Sequence, residues 1–214
     1  MPDMWHVMGV MLSAGGSVKW FHDNVWRTSD DADRDHYEAM FNAAASVEPG
    51  CEGLTFLPYL TGERTPHADP YARGAFVGLT LRHDRAHMAR AVIEGVTFGL
   101  MDGLTLVRDM GVDVPRVRIS GGGAQNPFWR QMLADVFQAE VATINVTQGA
   151  AFGAAILALV GGGITEDVAT ACRSVVRETS TTTPQPGYGY ARAYEHYRTM
   201  YPALKPRFAA LHDT

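Results

Sequence analysis

The chain has 214 residues, 46% of them hydrophobic and 19% charged, and a formal net charge of −5. This is ordinary globular composition, long enough for one large domain or two small ones with a sizeable core. No basic patch dominates, which argues against a nucleic-acid partner. An anionic ligand would have to be held by local backbone donors rather than by the overall field.

The two cysteines, Cys51 and Cys172, form neither a CxxC pair nor a metal-ligand spacing. They read as free thiols in a reducing compartment. Met1-Pro2-Asp3-Met4-Trp5-His6 lacks the basic and apolar blocks of a signal peptide. The most apolar helical stretch, 88–110, carries Arg90, Glu94, Asp102 and Arg108, which argues against a membrane span. A soluble cytoplasmic protein is expected.

In chain order, Trp5 to Met11 is a short apolar run that reads as the end of a strand. Helices are expected over Ser13–Trp26 and Asp35–Val47. Leu54 to Leu60, bounded by Gly53 and Gly62, predicts a buried strand. A polar loop follows over Thr61–Arg73, then a short strand over Gly74–Leu79. The clearest helix is His87–Met110, with apolar residues at Met88, Val92, Val96, Leu100, Leu104 and Val107. Gly95, Gly99 and Gly103 recur every fourth residue on one face of it. Each costs a helix about 1 kcal/mol against alanine, so close packing against another element accounts for them better than a ligand does.

Beyond Gly111 strands and helices alternate. A strand at Val117 and Ile119 precedes a helix over Phe128–Gln138. A strand over Glu140–Val146 is followed by helices over Ala150–Val160 and Glu166–Arg173. An edge strand over Val175–Thr182, a turn-rich linker over Pro184–Gly189 and a closing helix over Tyr190–Leu211 complete the chain. The alternation indicates an α/β domain with a partly parallel sheet flanked by helices.

Two segments carry the strongest signals for ligand chemistry. Ser120-Gly121-Gly122-Gly123-Ala124-Gln125-Asn126-Pro127 follows a strand and opens a helix. Asn126 suits the N-cap and Pro127 the first helical position. The helix N-terminus then offers free N–H groups to an anion or a polar ring edge. Ligand binding and a tight strand-to-helix turn fit this stretch equally. It is not a Walker A loop, and it is a poor dinucleotide fingerprint because Asn126 stands at the third glycine position. A nicotinamide-binding domain therefore remains only a weaker reading. The second segment, Gln148-Gly149-Ala150-Ala151-Phe152-Gly153, also begins a helix after a strand. Alone it suits close packing better than binding. Together the two could wall one slot at the same end of neighbouring strands.

The loop 61–70 concentrates Glu63, Arg64, Thr65, His67 and Asp69. A cleft lining and a solvated surface account for it equally. His83 and His87 lack the Glu of a zinc-binding helix motif, so a surface reading prevails. No residue earns the role of catalytic base, Asp69 and Asp102 included.

These segments together resemble the FGGY carbohydrate kinases. Gly74-Ala75-Phe76-Val77-Gly78-Leu79, followed by His87-Met88-Ala89-Arg90-Ala91-Val92-Ile93-Glu94, matches the family's downstream signature throughout. Gly62-Glu63-Arg64-Thr65-Pro66-His67 looks like the corresponding tract of members that act on a ketopentose. Gly121-Gly122-Gly123-Ala124-Gln125-Asn126, with Trp129-Arg130-Gln131-Met132-Leu133-Ala134-Asp135 behind it, looks like the adenosine motif.

The resemblance implies an actin-like, ribonuclease-H-like domain, the nucleotide-binding half of a two-domain ATP-dependent kinase. It implies contacts to ATP at Gly121, Gly122, Gly123, Ala124 and Asn126, with Gly149 and Gly153 as neighbours of the nucleotide. Glu63, Arg64, Thr65 and His67 would line the cleft. Mg²⁺ would be held mainly by the nucleotide phosphates and by residues outside this sequence. The family's two phosphate loops, its catalytic Asp and most of its sugar contacts have no counterpart here. The resemblance thus implies a domain without its first strands. Exposed apolar surface, an unpaired strand edge and marginal stability are expected, with self-association or pairing with an N-terminal half. The alternative is a non-catalytic actin-like nucleotide-binding or assembly fragment.

Overall fold

A computed structural model describes residues 5–27, 36–187 and 189–212. Met4, Asp35 at the expected start of the second helix, and position 188 in the linker lie outside the described residues.

Helix α1 (Ala14–Phe21) runs into a π-helical turn over His22–Trp26, and α2 is His36–Ala45. Strands β1 (Thr55–Leu57) and β2 (Ala75–Val77) pair antiparallel, apart from the main sheet. Helix α3 (Arg85–Asp109) is the centre of the molecule. After it come β3 (Arg116–Ile119), α4 (Pro127–Phe137), β4 (Glu140–Ile144), α5 (Gly149–Gly161), α6 (Val168–Val175), β5 (Glu178–Thr182) and α7 (Ala191–His212). The main sheet has the order β3-β4-β5, with β3 parallel and β5 antiparallel to β4. The domain is α/β with a mixed sheet flanked by helices, as expected. The apolar run Leu54–Leu60 yields only a three-residue strand, because β2 offers it only three partners.

One expected strand is absent. Trp5 to Met11 carries no regular secondary structure and pairs with no strand among the described residues, and Trp5 is 97% exposed. Its far end is tied to the 61–73 loop instead. Thr65 N donates to the Val10 carbonyl at 3.0 Å. Val10 N donates to Thr65 Oγ1 at 3.1 Å.

Helix α3 starts at an N-cap, Asp84, whose carboxylate accepts from the amides of Ala86 (2.9 Å) and His87 (3.1 Å). The His87 ring returns to the Asp84 backbone, an imidazole variant of the capping box. The glycine stripe is a packing device, as its period implied. A Cβ at Gly95 would lie 2.2 Å from the Phe56 carbonyl oxygen, so β1 sits directly on the helix backbone. A Cβ at Gly99 would meet Met11 and the Tyr197 hydroxyl at 3.1–3.2 Å. Gly103 faces Gly9, backbone against backbone.

Deep beneath the same helix lies an ion pair. Arg90 Nε donates to Glu94 Oε1 at 2.6 Å, and both side chains are 3% exposed. The guanidinium also donates to the carbonyls of Val47 (2.8 Å) and Ala44 (3.3 Å) and to the Tyr190 hydroxyl (2.7 Å). Glu94 accepts from the Gly50 amide at 3.0 Å. The pair thereby joins α3 to the end of α2, the turn after it and the start of α7.

Removing one partner leaves the other charge buried and uncompensated, which costs about 3–5 kcal/mol. Glu94→Ala is expected to lose stability on that scale in chemical denaturation. The double variant R90M/E94L, which removes both charges, should retain more stability than Glu94→Ala alone. Equal loss in the two proteins would contradict this account.

Candidate functional site

The two glycine-rich segments meet at the same end of parallel strands β3 and β4. Gly149, the first residue of α5, lies so close to Ser120 that an added Cβ would be 2.9 Å from its Oγ. The two segments that the sequence analysis pairs are therefore adjacent.

The glycines of the first segment divide by what each one does. Gly121 has φ +94°, a backbone state that side chains disfavour, and it turns the chain off β3. Gly123 lies on the Trp129 indole, where a Cβ would sit 2.3 Å from a ring carbon. Gly122 is different: nothing lies within 4 Å of the position its Cβ would take, and its φ is ordinary. Gly153 in α5 is equally open, whereas Gly149 is spent on the approach to Ser120. Gly121 and Gly123 thus have structural reasons, whereas among the described residues nothing crowds the Cβ positions of Gly122 and Gly153.

Ala124 is buried beneath the turn. Asn126 caps α4, its Oδ1 accepting from the Trp129 amide at 3.2 Å, with Pro127 first in the helix. The Arg130 guanidinium donates to the carbonyls of Ala124 (2.8 Å) and Gln125 (2.9 Å), which holds the turn from below. The Trp129 indole N–H donates to Thr97 Oγ1 at 3.0 Å, anchoring the whole turn to α3.

Three cavities border this turn. One of about 640 Å³ lies between the two segments, lined by Gln125, Asn145, Thr147, Gln148 and Phe152 among others. One of about 370 Å³ is lined by Gly15, Lys19, Tyr37, Gly122, Gly123 and Trp129 among others. The third, about 450 Å³ and mostly apolar, runs along β3. Among the described residues, none lining the three carries a carboxylate. Gly15 and Lys19 of α1 were not singled out from sequence. The signal available was the pair Gly15-Gly16 at the start of an amphipathic helix, where added side chains would meet nothing within 4 Å.

The 61–73 loop lies elsewhere. None of Glu63, Arg64, Thr65 and His67 lines the three cavities just described. Glu63 is 3% exposed and accepts from the amides of Leu12 (3.2 Å) and Arg64 (2.7 Å). Burial raises its carboxyl above the usual range, against the pull of those amides. Asp69 accepts from the Tyr201 hydroxyl at 2.7 Å. The His67 ring stacks on Tyr201 with centroids 3.5 Å apart, and its Nε2 lies 3.2 Å from the Tyr59 hydroxyl. These groups fasten the loop to α7. Asp102 belongs to the same region, accepting from Tyr194 at 2.6 Å.

Burial pushes the His67 imidazole down to about 4, against the opposing charge of Asp69. Its unfolded value is about 6.5, so the unfolded chain binds the extra proton between those limits. The stabilisation from the neutral ring is therefore complete above that window and lost as pH falls through it. The stability difference between the native chain and His67→Gln should shrink from pH 7.5 to pH 4.5 in denaturation curves. A pH-independent difference would contradict the assignment.

Comparison with known proteins places the chain. Residues 1–162 match the model of the FGGY family of carbohydrate kinases, C-terminal domain. The chain is 36% identical over 203 residues to the xylulose kinase of Staphylococcus epidermidis, covering 95% of this chain and 39% of that one. It is 37% identical over 164 residues to the gluconokinase of Bacillus subtilis, covering 74% of this chain and 32% of that one. A xylulose kinase from Lactobacillus acidophilus, solved with ligand bound, superposes with a TM-score of 0.80 at 28% identity, over 92% of this chain and 39% of that one. The chain thus spans well under half the length of these relatives. It belongs to the FGGY family of carbohydrate kinases.

Proposed function

We propose that this chain is the ATP-binding part of a sugar kinase that transfers the γ-phosphoryl group of ATP to a ketopentose, converting D-xylulose to D-xylulose 5-phosphate. The observation that carries the proposal is the meeting of two glycine-bearing helix N-termini at the ends of β3 and β4, with Gly122 and Gly153 open to the space beside them. Helix N-termini present unpaired N–H groups and positive potential to an anion. Xylulose kinases recur among the relatives, and this favours a ketopentose over gluconate.

On this reading the adenosine end of ATP lies against Gly122, with Asn126 and Gly123 shaping the turn and Gly153 behind it. Among the described residues, Lys19 is the one cation lining the adjoining cavity, and it is itself paired with Asp23. With no carboxylate in the lining, these residues do not fit a Mg²⁺ site of their own. The metal would arrive on the nucleotide phosphates, and its protein ligands and the catalytic base would come from outside these residues. Phosphoryl transfer rests on positioning and charge neutralisation, so the chain alone is expected to bind but not to turn over. A cytoplasmic location accords with this role. A non-catalytic nucleotide-binding or assembly role is the second reading, favoured by the unpaired edge of β3.

Gly122→Val places a side chain where nothing lies within 4 Å of its Cβ. It should raise the ATP dissociation constant at least about tenfold, ~1.4 kcal/mol, at unchanged thermal stability. Gly123→Ala should instead lose about 1–3 kcal/mol of stability, because the Trp129 ring must move. Titration calorimetry with ATP and with NADH reads the first, and preference for NADH would overturn the kinase reading. The purified chain with ATP, Mg²⁺ and D-xylulose should release ADP no faster than a protein-free control. Turnover well above it would refute the claim that the chain is inactive alone.

A further inference from the structure

Helix α3 has a different cavity on each side. Leu100 and Leu104 line the apolar one beside β3, whereas Asp102 and Asp109 line another of about 270 Å³. At 3.6 residues per turn, positions 102 and 109 share one side of the helix, away from 100 and 104. This fourth cavity shares no lining residue with the three around the glycine turn. Its walls come from α3, α7, the 61–73 loop and Tyr59. Its volume is near the lower end of the roughly 300–1,000 Å³ of ligand pockets, which suits a small molecule rather than a nucleotide.

Polar atoms that lack partners line it. Asp102 is 7% exposed. Its Oδ1 accepts from the Tyr194 hydroxyl and lies 3.9 Å from Arg198 Nε, while Oδ2 has no hydrogen-bond partner among the described residues. Burial raises its carboxyl above the usual range, against the pull of Tyr194 and Arg198. A carboxyl oxygen in such a place calls for a donor. His67 Nε2 is engaged with the Tyr59 hydroxyl, but its Nδ1 has no partner among the described residues. Pro202 of α7 also lines the cavity, and lacking an N–H it leaves the Arg198 carbonyl without its helical donor. The stacked rings of His67 and Tyr201 supply an aromatic wall.

The lining excludes most ligand classes. A phosphate or other anion would meet two carboxyl groups against one guanidinium. One metal ion could not bridge carboxylates two turns, about 10 Å, apart on a helix. An organic ammonium would compete with Arg198 at Asp102 and with Lys205, whose Nζ lies 5.8 Å from the Tyr201 ring centroid. A wholly apolar molecule would leave Asp102 Oδ2 unsatisfied. What fits is uncharged and both donates and accepts hydrogen bonds.

We propose that this cavity binds a neutral polyhydroxylated molecule of monosaccharide size, with Asp102 and Asp109 accepting from its hydroxyl groups, Arg198 donating to them, and the His67–Tyr201 stack packing on its carbon face. Hydroxyl groups match unpartnered carboxyl and carbonyl oxygens, and slightly positive C–H groups match the negative faces of aromatic rings. The site is separate from the glycine turn and does not depend on the ATP-binding reading.

The test titrates the chain with xylitol, a neutral polyol, and in parallel with putrescine, an organic dication. Proton NMR follows the His67 imidazole signals, assigned by their loss in His67→Gln. Xylitol should shift them saturably in the millimolar range, and putrescine should not. Asp102→Asn keeps an oxygen for Tyr194 but puts an N–H donor in place of Oδ2. It should raise the xylitol dissociation constant at least about tenfold, with the far-UV circular dichroism unchanged. If Asp102→Asn does not fold, Arg198→Gln, at a side chain 61% exposed, should also weaken xylitol binding severalfold. No saturable shift with xylitol, a saturable shift with putrescine, or full affinity in the folded variants would overturn the proposal. Neither ATP nor turnover enters the measurement, so its failure and that of the kinase reading are distinguishable.

Discussion

The glycine turn depends on a charge pair buried beneath α3. Burying Arg90 and Glu94 carries a desolvation cost of several kcal/mol per ion, repaid only where each charge is fully hydrogen-bonded. That condition is met: the guanidinium reaches the Ala44 and Val47 carbonyls and the Tyr190 hydroxyl, and the carboxylate takes the Gly50 amide. The order along the helix, Arg before Glu, is not the one that helix electrostatics favours. The pair therefore serves tertiary structure rather than the helix. It fixes the height and rotation of α3, and α3 fixes the rest. One turn on, Thr97 donates to the Ile93 carbonyl and accepts from the Trp129 indole. Trp129 supports Gly123, and Gly123 sets where Gly122 opens. A distortion beneath α3 would thus reach the turn through four residues in direct contact.

In the 61–73 loop the concentrated functional groups are engaged in holding the fold. A loop that must dock against a helix rich in tyrosine meets hydroxyl groups that need partners when buried. Asp69 and His67 provide them for Tyr201 and Tyr59, and Tyr59 in turn meets Tyr197 at 3.0 Å. Glu63 performs the same service for the backbone of the incoming segment at Leu12. These polar residues hold α7 and the N-terminal segment in place.

Most elements were legible because their cause is local. The apolar period of α3, the Asn-Pro start of α4 and the alternation after Gly111 each predict an element that is present. The spacing of Gly95, Gly99 and Gly103 predicted close packing, and Phe56, Met11 and Gly9 supply it. What failed was non-local. Trp5 to Met11 has a strand's composition, but a strand is defined by its neighbour, and none lies beside it among the described residues. The glycine triplet was ambiguous for a similar reason: the Trp129 ring under Gly123 arrives through the fold of α4, six residues later. Lys19 and Gly15 reach the turn only because α1 crosses α3, a contact with no sequence period of its own.

The division among the glycines also bears on what a lone domain of this kind can do. On the proposed reading, the contacts to ATP are backbone amides and openings where side chains are absent, and these favour an anion without neutralising it. The triphosphate brings several negative charges to a domain whose own net charge is −5, and Lys19 is already engaged by Asp23. Recognition of the adenosine end is therefore separable from stabilisation of the transferring phosphoryl group, because the two draw on different physical resources. Shape and N–H donors, present here, suit the first. Cations and a positioned base suit the second, and the cavities around the turn are lined by residues that provide neither beyond one committed lysine. The sheet likewise leaves one edge of β3 without a strand partner among the described residues.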